Sequence, residues 1–201
     1  MKHNLTALFF MFCTCQLSST AQKTGNHLIS AVAFDKVTKT TNFAGLQKLY
    51  GKNNVKDDID PGPEGGDSIK VTIVYPGSAR EFSVFWNEKQ YHKKIGFVEC
   101  YQSNSPYFTT DSLKIGSTLK KLLAVNGKRI SFSGMGWDYG GSIFSFGKGK
   151  LEKSPMQFQL AGKDGVSDKL MGDIQLNTDM QLVKKNLDKL YISKISLVFP
   201  N

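Results

Sequence analysis

The chain has 201 residues, 40% of them hydrophobic and 11% aromatic, which suffices for one compact domain or two half-domains sharing a core and excludes a disordered chain. Its 26 basic residues against 17 acidic ones give a formal charge of +9, which favours acidic partners or anionic surfaces, although lysines solvating one face produce the same balance. Only three cysteines are present, two of them in the first fifteen residues, which excludes a disulfide scaffold or a thiolate cluster in the remainder.

In chain order, Lys2 and His3 precede the apolar run Leu5 to Phe12, and Ser19-Thr20-Ala21 forms a small-x-small site. This is the pattern of a secretory signal, too short to span a membrane. Residues 1–21 are read as a signal peptide, with Gln22 first in the mature chain. Its removal takes Lys2 away, leaving 25 basic and 17 acidic residues, a balance of +8. The alternative is a lipoprotein signal acylated at Cys13 or Cys15, giving peripheral membrane association, but Met11-Phe12 and Cys13-Thr14 lack the usual Leu-x-small pattern before the cysteine. The expected location is secreted or periplasmic, and export argues against a nucleic-acid partner despite the basic clusters Lys93-Lys94, Lys148 to Lys153 and Lys184-Lys185.

Leu28 to Phe34 reads as a first strand, leading through Thr40 and Thr41 into a helix over Asn42 to Tyr50 that Gly51 stops. Lys52 to Asp67 ends in DDIDPGPEGGD and is expected to be a long surface loop, since Pro61, Pro63 and three glycines disfavour regular structure. Strands are expected at Ile69 to Tyr75, Glu81 to Trp86 and Lys94 to Tyr101, the first two separated by the turn Pro76-Gly77. A short strand, Tyr107 to Thr110, then precedes a helix over Ser117 to Asn126, stopped by Gly127. Strands follow at Arg129 to Ser133, Ser142 to Phe146, Met156 to Ala161 and Leu170 to Leu176, then a short helix around Asp179 to Asn186 and a strand from Leu190 to Phe199.

The two helices are related by a shift of 76 positions. Ser117, Leu119, Leu122, Val125 and Gly127 fall on Thr41, Phe43, Leu46, Leu49 and Gly51, so cap, stripe and stop recur in register. The same shift takes Phe82, Val84 and Gly96 to Phe158, Leu160 and Gly172. Between them it puts Ile69, Val71 and Ile73 on Ser145, Gly147 and Gly149, which implies an insertion or deletion of an odd number of residues. The expected fold is α+β: two tandem helix-plus-antiparallel-sheet units, 22–106 and 107–201, with the helices packed on one sheet face.

The spacing of a hydroxyl residue, Leu and Gly, here Thr41, Leu46, Gly51 and Ser117, Leu122, Gly127, resembles that of the β-lactamase inhibitory protein family and the related small outer-membrane assembly lipoproteins. That resemblance implies an exported protein of binding or inhibitor-like function. The runs VTIVYPG and NGKRISFSGMGWDYGG also look like those of secreted bacterial proteins of unknown function.

Catalytic constellations are sparse. Cys100 shares a strand face with Gly96 and Val98, where a thiol behaves as a small hydrophobe. Beyond His3, only His27 and His92 are present, too few to suggest a histidine relay or a zinc site. The acidic run Asp57, Asp58, Asp60, Glu64 and Asp67 offers oxygen ligands, but counted from Asp58 it puts Gly62 and Pro63 where a calcium loop needs a ligand and a glycine. Gly141 to Lys150 lacks the phosphate-loop order, since Lys148 is followed by glycine. No catalytic residue, metal site or cofactor is therefore expected.

The informative stretch is GMGWDYGG, Gly134 to Gly141. Its glycines permit tight turns, and Trp137, Asp138 and Tyr139 form a candidate binding motif: two amphipathic rings beside a carboxylate. The competing reading folds Trp137 over the sheet and makes Asp138 a turn cap. Trp86, on a face with Phe82 and Val84, is expected in the core. The expected function is a non-enzymatic, exported binding protein engaging a protein or acidic envelope polymer through the sheet surface and the Gly134–Gly141 loop. The alternative is a hydrolase of envelope polysaccharide pairing Asp138 with Glu99 or Asp173.

Overall fold

The computed structural model describes residues 27–62, 66–137 and 139–200. The leader with Cys13 and Cys15, Glu64 of the acidic run, and Asp138 of the binding motif lie outside the described residues.

The expected strand Leu28 to Phe34 is instead two short strands of a hairpin, β1 (Leu28–Ile29) and β2 (Ala33–Phe34), followed by β3 (Val37–Thr38). Ser30 causes the break: its N–H donates to the Ala33 carbonyl at 2.8 Å, and its hydroxyl accepts from the Ala33 N–H at 3.1 Å, so the chain turns. β1 also pairs in parallel with β8 (Phe108–Thr109), giving a small sheet in the order β3-β2-β1-β8.

Helices α1 (Phe43–Tyr50) and α2 (Leu119–Asn126) stand close to where the sequence places them, but each cap sits one residue later than expected. Asn42 accepts from the Gly45 N–H at 2.8 Å, and Thr118 accepts from the Lys121 N–H at 3.2 Å. The hydroxyls of Thr41 and Ser117 act upstream instead, accepting at 3.0 Å from the N–H groups of Thr38 and Lys114, three residues earlier in each case. Gly51 and Gly127 end the helices at φ 88° and 71°, values a side chain would strain. Leu46 and Leu122 are both fully buried.

The run expected to be a loop after α1 forms an edge strand, β4 (Val55–Asp60), paired along its whole length with β5 (Ile69–Val74). A strand at a sheet edge tolerates charge because one side of its backbone remains in water. β5 continues through β6 (Phe82–Trp86) to β7 (Ile95–Cys100). After α2 come β9 (Ser131–Ser133), β10 (Ile143–Ser145), β11 (Met156–Gly162), β12 (Gln175–Asn177), a single turn of helix α3 (Gln181–Lys184) and β13 (Leu190–Val198).

The main sheet is antiparallel throughout, in the order β11-β13-β7-β6-β5-β4, and a three-stranded sheet runs β10-β9-β12. A bridge between Ser142 and Gln159, with the Leu160 N–H donating to the Gly141 carbonyl at 2.9 Å, brings the two sheets edge to edge at β10 and β11.

The expected strand Leu170 to Leu176 shortens to β12. Asp168–Leu170 is a 3-10 turn, and Gly172, at φ 91°, lies in a bend rather than a strand. Gly96 and Gly172 are therefore not counterparts, and the strand lying beside β7 is β13.

One face of the main sheet carries the core. Phe82, Val84 and Trp86, Val98 and Cys100, Phe158 and Leu160, and Ile195 and Leu197 join Leu46, Leu119 and Leu122 of the two helices in a single buried cluster. Each fully buried leucine or phenylalanine contributes about 1.5–3 kcal/mol relative to exposure, so this face holds the fold together. The architecture is α+β, with the other face of the main sheet carrying a different set of residues.

Candidate binding face

Alternation along the strands decides what the second face displays. Opposite the core residues of β7, β13 and β11 stand Phe97 and Glu99, Lys194, Ser196 and Val198, and Gln157 and Gln159. They line a furrow of about 250 Å³, to which Ser142 and Ile143 contribute one wall. Glu99 is 7% exposed, accepts from the Ser196 hydroxyl at 3.2 Å and pairs with the Lys194 ammonium at 3.4 Å. A carboxylate so deeply seated needs such partners, since an unpaired charge there would shed its hydration uncompensated. To one side Phe85 and Phe97, opposite each other across β6 and β7, stack with ring centroids 4.2 Å apart. Beyond Glu99, Tyr101 donates to Glu81 at 3.2 Å, and its phenol is pushed up, first by burial and then by the Glu81 charge.

The Gly134–Gly141 loop leaves the small sheet beside this furrow and is pinned from two directions. Toward residues 170–174, the Gly134 N–H donates to the Ile174 carbonyl at 2.8 Å, Met135 N–H to Leu170 at 2.9 Å, and Gly172 N–H to Met135 at 2.8 Å. Toward β11, the Gln159 amide donates to the Gly140 carbonyl at 2.7 Å. Both attachments demand bare backbone: a Cβ on Gly134 would stand 2.4 Å from the Gly172 carbonyl oxygen, and one on Gly141, at φ 73°, would stand 1.9 Å from that of Leu160.

On this platform Trp137 and Tyr139 form an edge-to-face pair, centroids 5.6 Å apart and planes at 69°. The indole N–H donates to the Gly134 carbonyl at 2.9 Å, which fixes the ring while leaving Trp137 37% and Tyr139 56% exposed. Met171 and Ile174, 43% and 39% exposed, stand against Gly136 and Gly134 and extend the apolar surface.

Other residues weighed from the sequence have different surroundings. Cys100 is fully buried, and burial pushes its thiol up to about 12. Asp57 accepts from the Thr72 hydroxyl at 2.8 Å and pairs with His92 at 3.0 Å, while Asp58 and Asp60 accept from the nearby N–H groups of Ile59 and Gly62. Of the acids considered for hydrolysis, Glu99 lies paired in the furrow, whereas Asp173 is exposed in the 171–174 bend. Lys194, Ser196, Gln157 and Gln159 were not among the residues singled out from sequence. Their signal is the polar half of an alternating pattern, as in Met156-Gln157-Phe158-Gln159-Leu160, which marks a face without saying that the face is open.

These features define an α+β protein whose main sheet buries one face beneath helices and presents the other as a furrowed, polar surface edged by fixed aromatic rings. Among solved structures, the uncharacterized protein yfeY from Escherichia coli shares this fold, with a TM-score of 0.52 at 14% sequence identity, over 85% of this chain and 99% of that one. No family model matches the chain, and no curated protein matches it.

Proposed function

We propose that this is an exported, non-enzymatic binding protein of the bacterial envelope, which holds a macromolecular partner against the furrowed sheet face and the Gly134–Gly141 loop. The observation that carries this reading is the pair Trp137 and Tyr139, exposed yet fixed on a backbone-pinned platform that adjoins the furrow. Large rings held in one orientation lose little conformational freedom on binding, which is why such residues dominate interface energetics. The furrow supplies hydrogen-bonding groups, Gln157, Ser196 and the Glu99–Lys194 pair, for orientation.

The same reading takes the chain as two tandem units, 22–106 and 107–201, copied from one ancestral half. Support comes from the matched roles of Thr41 with Ser117, Asn42 with Thr118, Leu46 with Leu122 and Gly51 with Gly127, all at one shift of 76. Phe82 and Phe158, and Val84 and Leu160, are all buried, which extends the match to β6 and β11. Such a tandem agrees with the resemblance to the β-lactamase inhibitory protein family and the small outer-membrane assembly lipoproteins, and with residues 1–21 serving as a signal peptide.

The test is affinity capture from solubilised envelope with the mature protein and with a Trp137→Ala/Tyr139→Ala variant whose unfolding midpoint is unchanged. Each ring acting as an interface anchor is worth about 2 kcal/mol, so the double variant should lose partner binding by two orders of magnitude or more. Identical capture profiles for the two proteins would remove the proposal.

A further inference from the structure

Away from the furrow, a hollow of about 400 Å³ opens where β5 begins, lined by Asp67, Ile69, Lys70, Trp86, Glu88 and Tyr91 among others. Its aromatic walls turn their polar atoms inward. The Trp86 indole N–H donates to the Thr72 hydroxyl at 2.9 Å, and that hydroxyl donates to Asp57 at 2.8 Å. The Tyr91 phenol is pushed up, first by burial and then by the Asp57 charge, as expected if its oxygen is directed to the same carboxylate. What the two side chains offer the hollow is therefore ring carbon. Their centroids are 6.2 Å apart with planes at 69°, so the rings meet as the walls of a corner.

Two further observations set the charge such a corner accepts. Among the described residues that line it, Asp67 and Glu88 stand at its border against Lys70, in a chain whose overall balance is +9. Lys70 is also the informative group: its ammonium lies 5.9 Å from the Tyr91 ring centroid, within the distance at which a cation is drawn to a ring face.

We propose that this hollow is a receptor for an organic ammonium group, and that Lys70 is a tethered occupant which the ligand displaces. The Tyr91 ring, on which His92 also stacks with centroids 4.1 Å apart, attracts a weakly hydrated cation, the 7% exposed Trp86 indole closes the corner behind it, and the border carboxylates complement its charge. Two sources share this chemistry: a quaternary head group of the choline type, or the primary ammonium of a lysine side chain. The site is separate from the sheet face, so its failure would leave the partner-binding proposal untouched.

The mature chain, labelled with nitrogen-15, is titrated with tetramethylammonium, choline and N-acetyl-lysine methylamide, with sodium chloride at matched ionic strength as control. The reporters are the Trp86 indole N–H and the amides of Ile69, Lys70 and Tyr91. Saturable shifts are expected, from choline if the source is a quaternary head group and from the lysine derivative if it is a side chain. Lys70→Met should tighten binding about threefold, the factor by which affinity is reduced if Lys70 covers the ring two-thirds of the time. Glu88→Gln, at an exposed position that leaves the rings intact, should weaken it. Shifts reproduced by sodium chloride, no saturation by any ammonium probe in folded Lys70→Met, or binding that Lys70→Met leaves unchanged or weakens, would each overturn the proposal.

Discussion

Replacing Asn126 with alanine tests how α2 is fastened to the strands that follow it. The residue is 2% exposed. Its amide nitrogen donates to the carbonyls of Lys128 and Phe146, both at 2.8 Å, and its amide oxygen accepts from the Leu151 N–H at 3.1 Å. Gly149 lies so close that a Cβ there would meet the amide at 2.3–2.5 Å, so the chain between β10 and β11 is folded around this one side chain. Alanine removes all three bonds. The Lys128 carbonyl is only part-buried and can turn to water, and the Phe146 carbonyl keeps the bond it accepts from the Gly149 N–H at 2.9 Å, but the buried Leu151 N–H is orphaned, at a cost of about 1–3 kcal/mol. The expected loss is about 2–3 kcal/mol, read as a lower urea midpoint with unchanged slope, or as a melting temperature lowered by roughly 4–12 °C for a domain of this size. Asn126→Asp should cost more, because a carboxylate oxygen then faces two carbonyl oxygens where a donor stood. A loss below about 1 kcal/mol for alanine, or an aspartate variant milder than alanine, would refute the reasoning.

Two further outcomes follow from the same geometry. Gly141→Ala should destabilise by about 2 kcal/mol or more, and should change the near-ultraviolet signal of Trp137, because both the positive φ and the Leu160 carbonyl exclude a methyl group there; a wild-type melting curve would refute this. Stability should decline in alkali. Burial pushes the Cys100 thiol up to about 12, and burial, then Asp35, push the Tyr50 phenol up. In the unfolded chain these groups ionise at about 8.5 and 10, so the stability they contribute is complete below about pH 8 and is lost as the unfolded state sheds protons that the folded state retains. Denaturation midpoints measured from pH 8 to 11 should fall steadily, and Cys100 should resist alkylation at pH 8 until the protein unfolds; a flat or rising profile would contradict this.

The elements that sequence made legible are those whose signal is local. A helix stripe with a cap and a terminating glycine can be read without knowing its neighbours, and both helices stand where expected, within a residue of cap position. Trp86 and Cys100 followed from alternation alone. β4 was missed because its neighbours decide it: Lys56, Asp58 and Asp60 carry no strand pattern, and only pairing with β5 makes Val55 to Asp60 extended. Leu170 to Leu176 failed the other way, since its apolar residues look like a strand while the hydrogen bonds of Leu170, Gly172 and Ile174 go to the aromatic loop. The loop residues Trp137 and Tyr139 could be picked out by composition. Their platform could not, because it is assembled from Gln159 and the 170–174 bend, remote in sequence.

The position of β13 bears on when the molecule can form. Although it comes last in order among the described strands, it lies inside the main sheet, with β11 on one side and β7 on the other. Until residues 190–198 arrive, β7 is paired only on its β6 side, and the ladder that β11 shares with β13 stays open. During synthesis the chain therefore cannot close its largest sheet, and closure awaits residues 190–198.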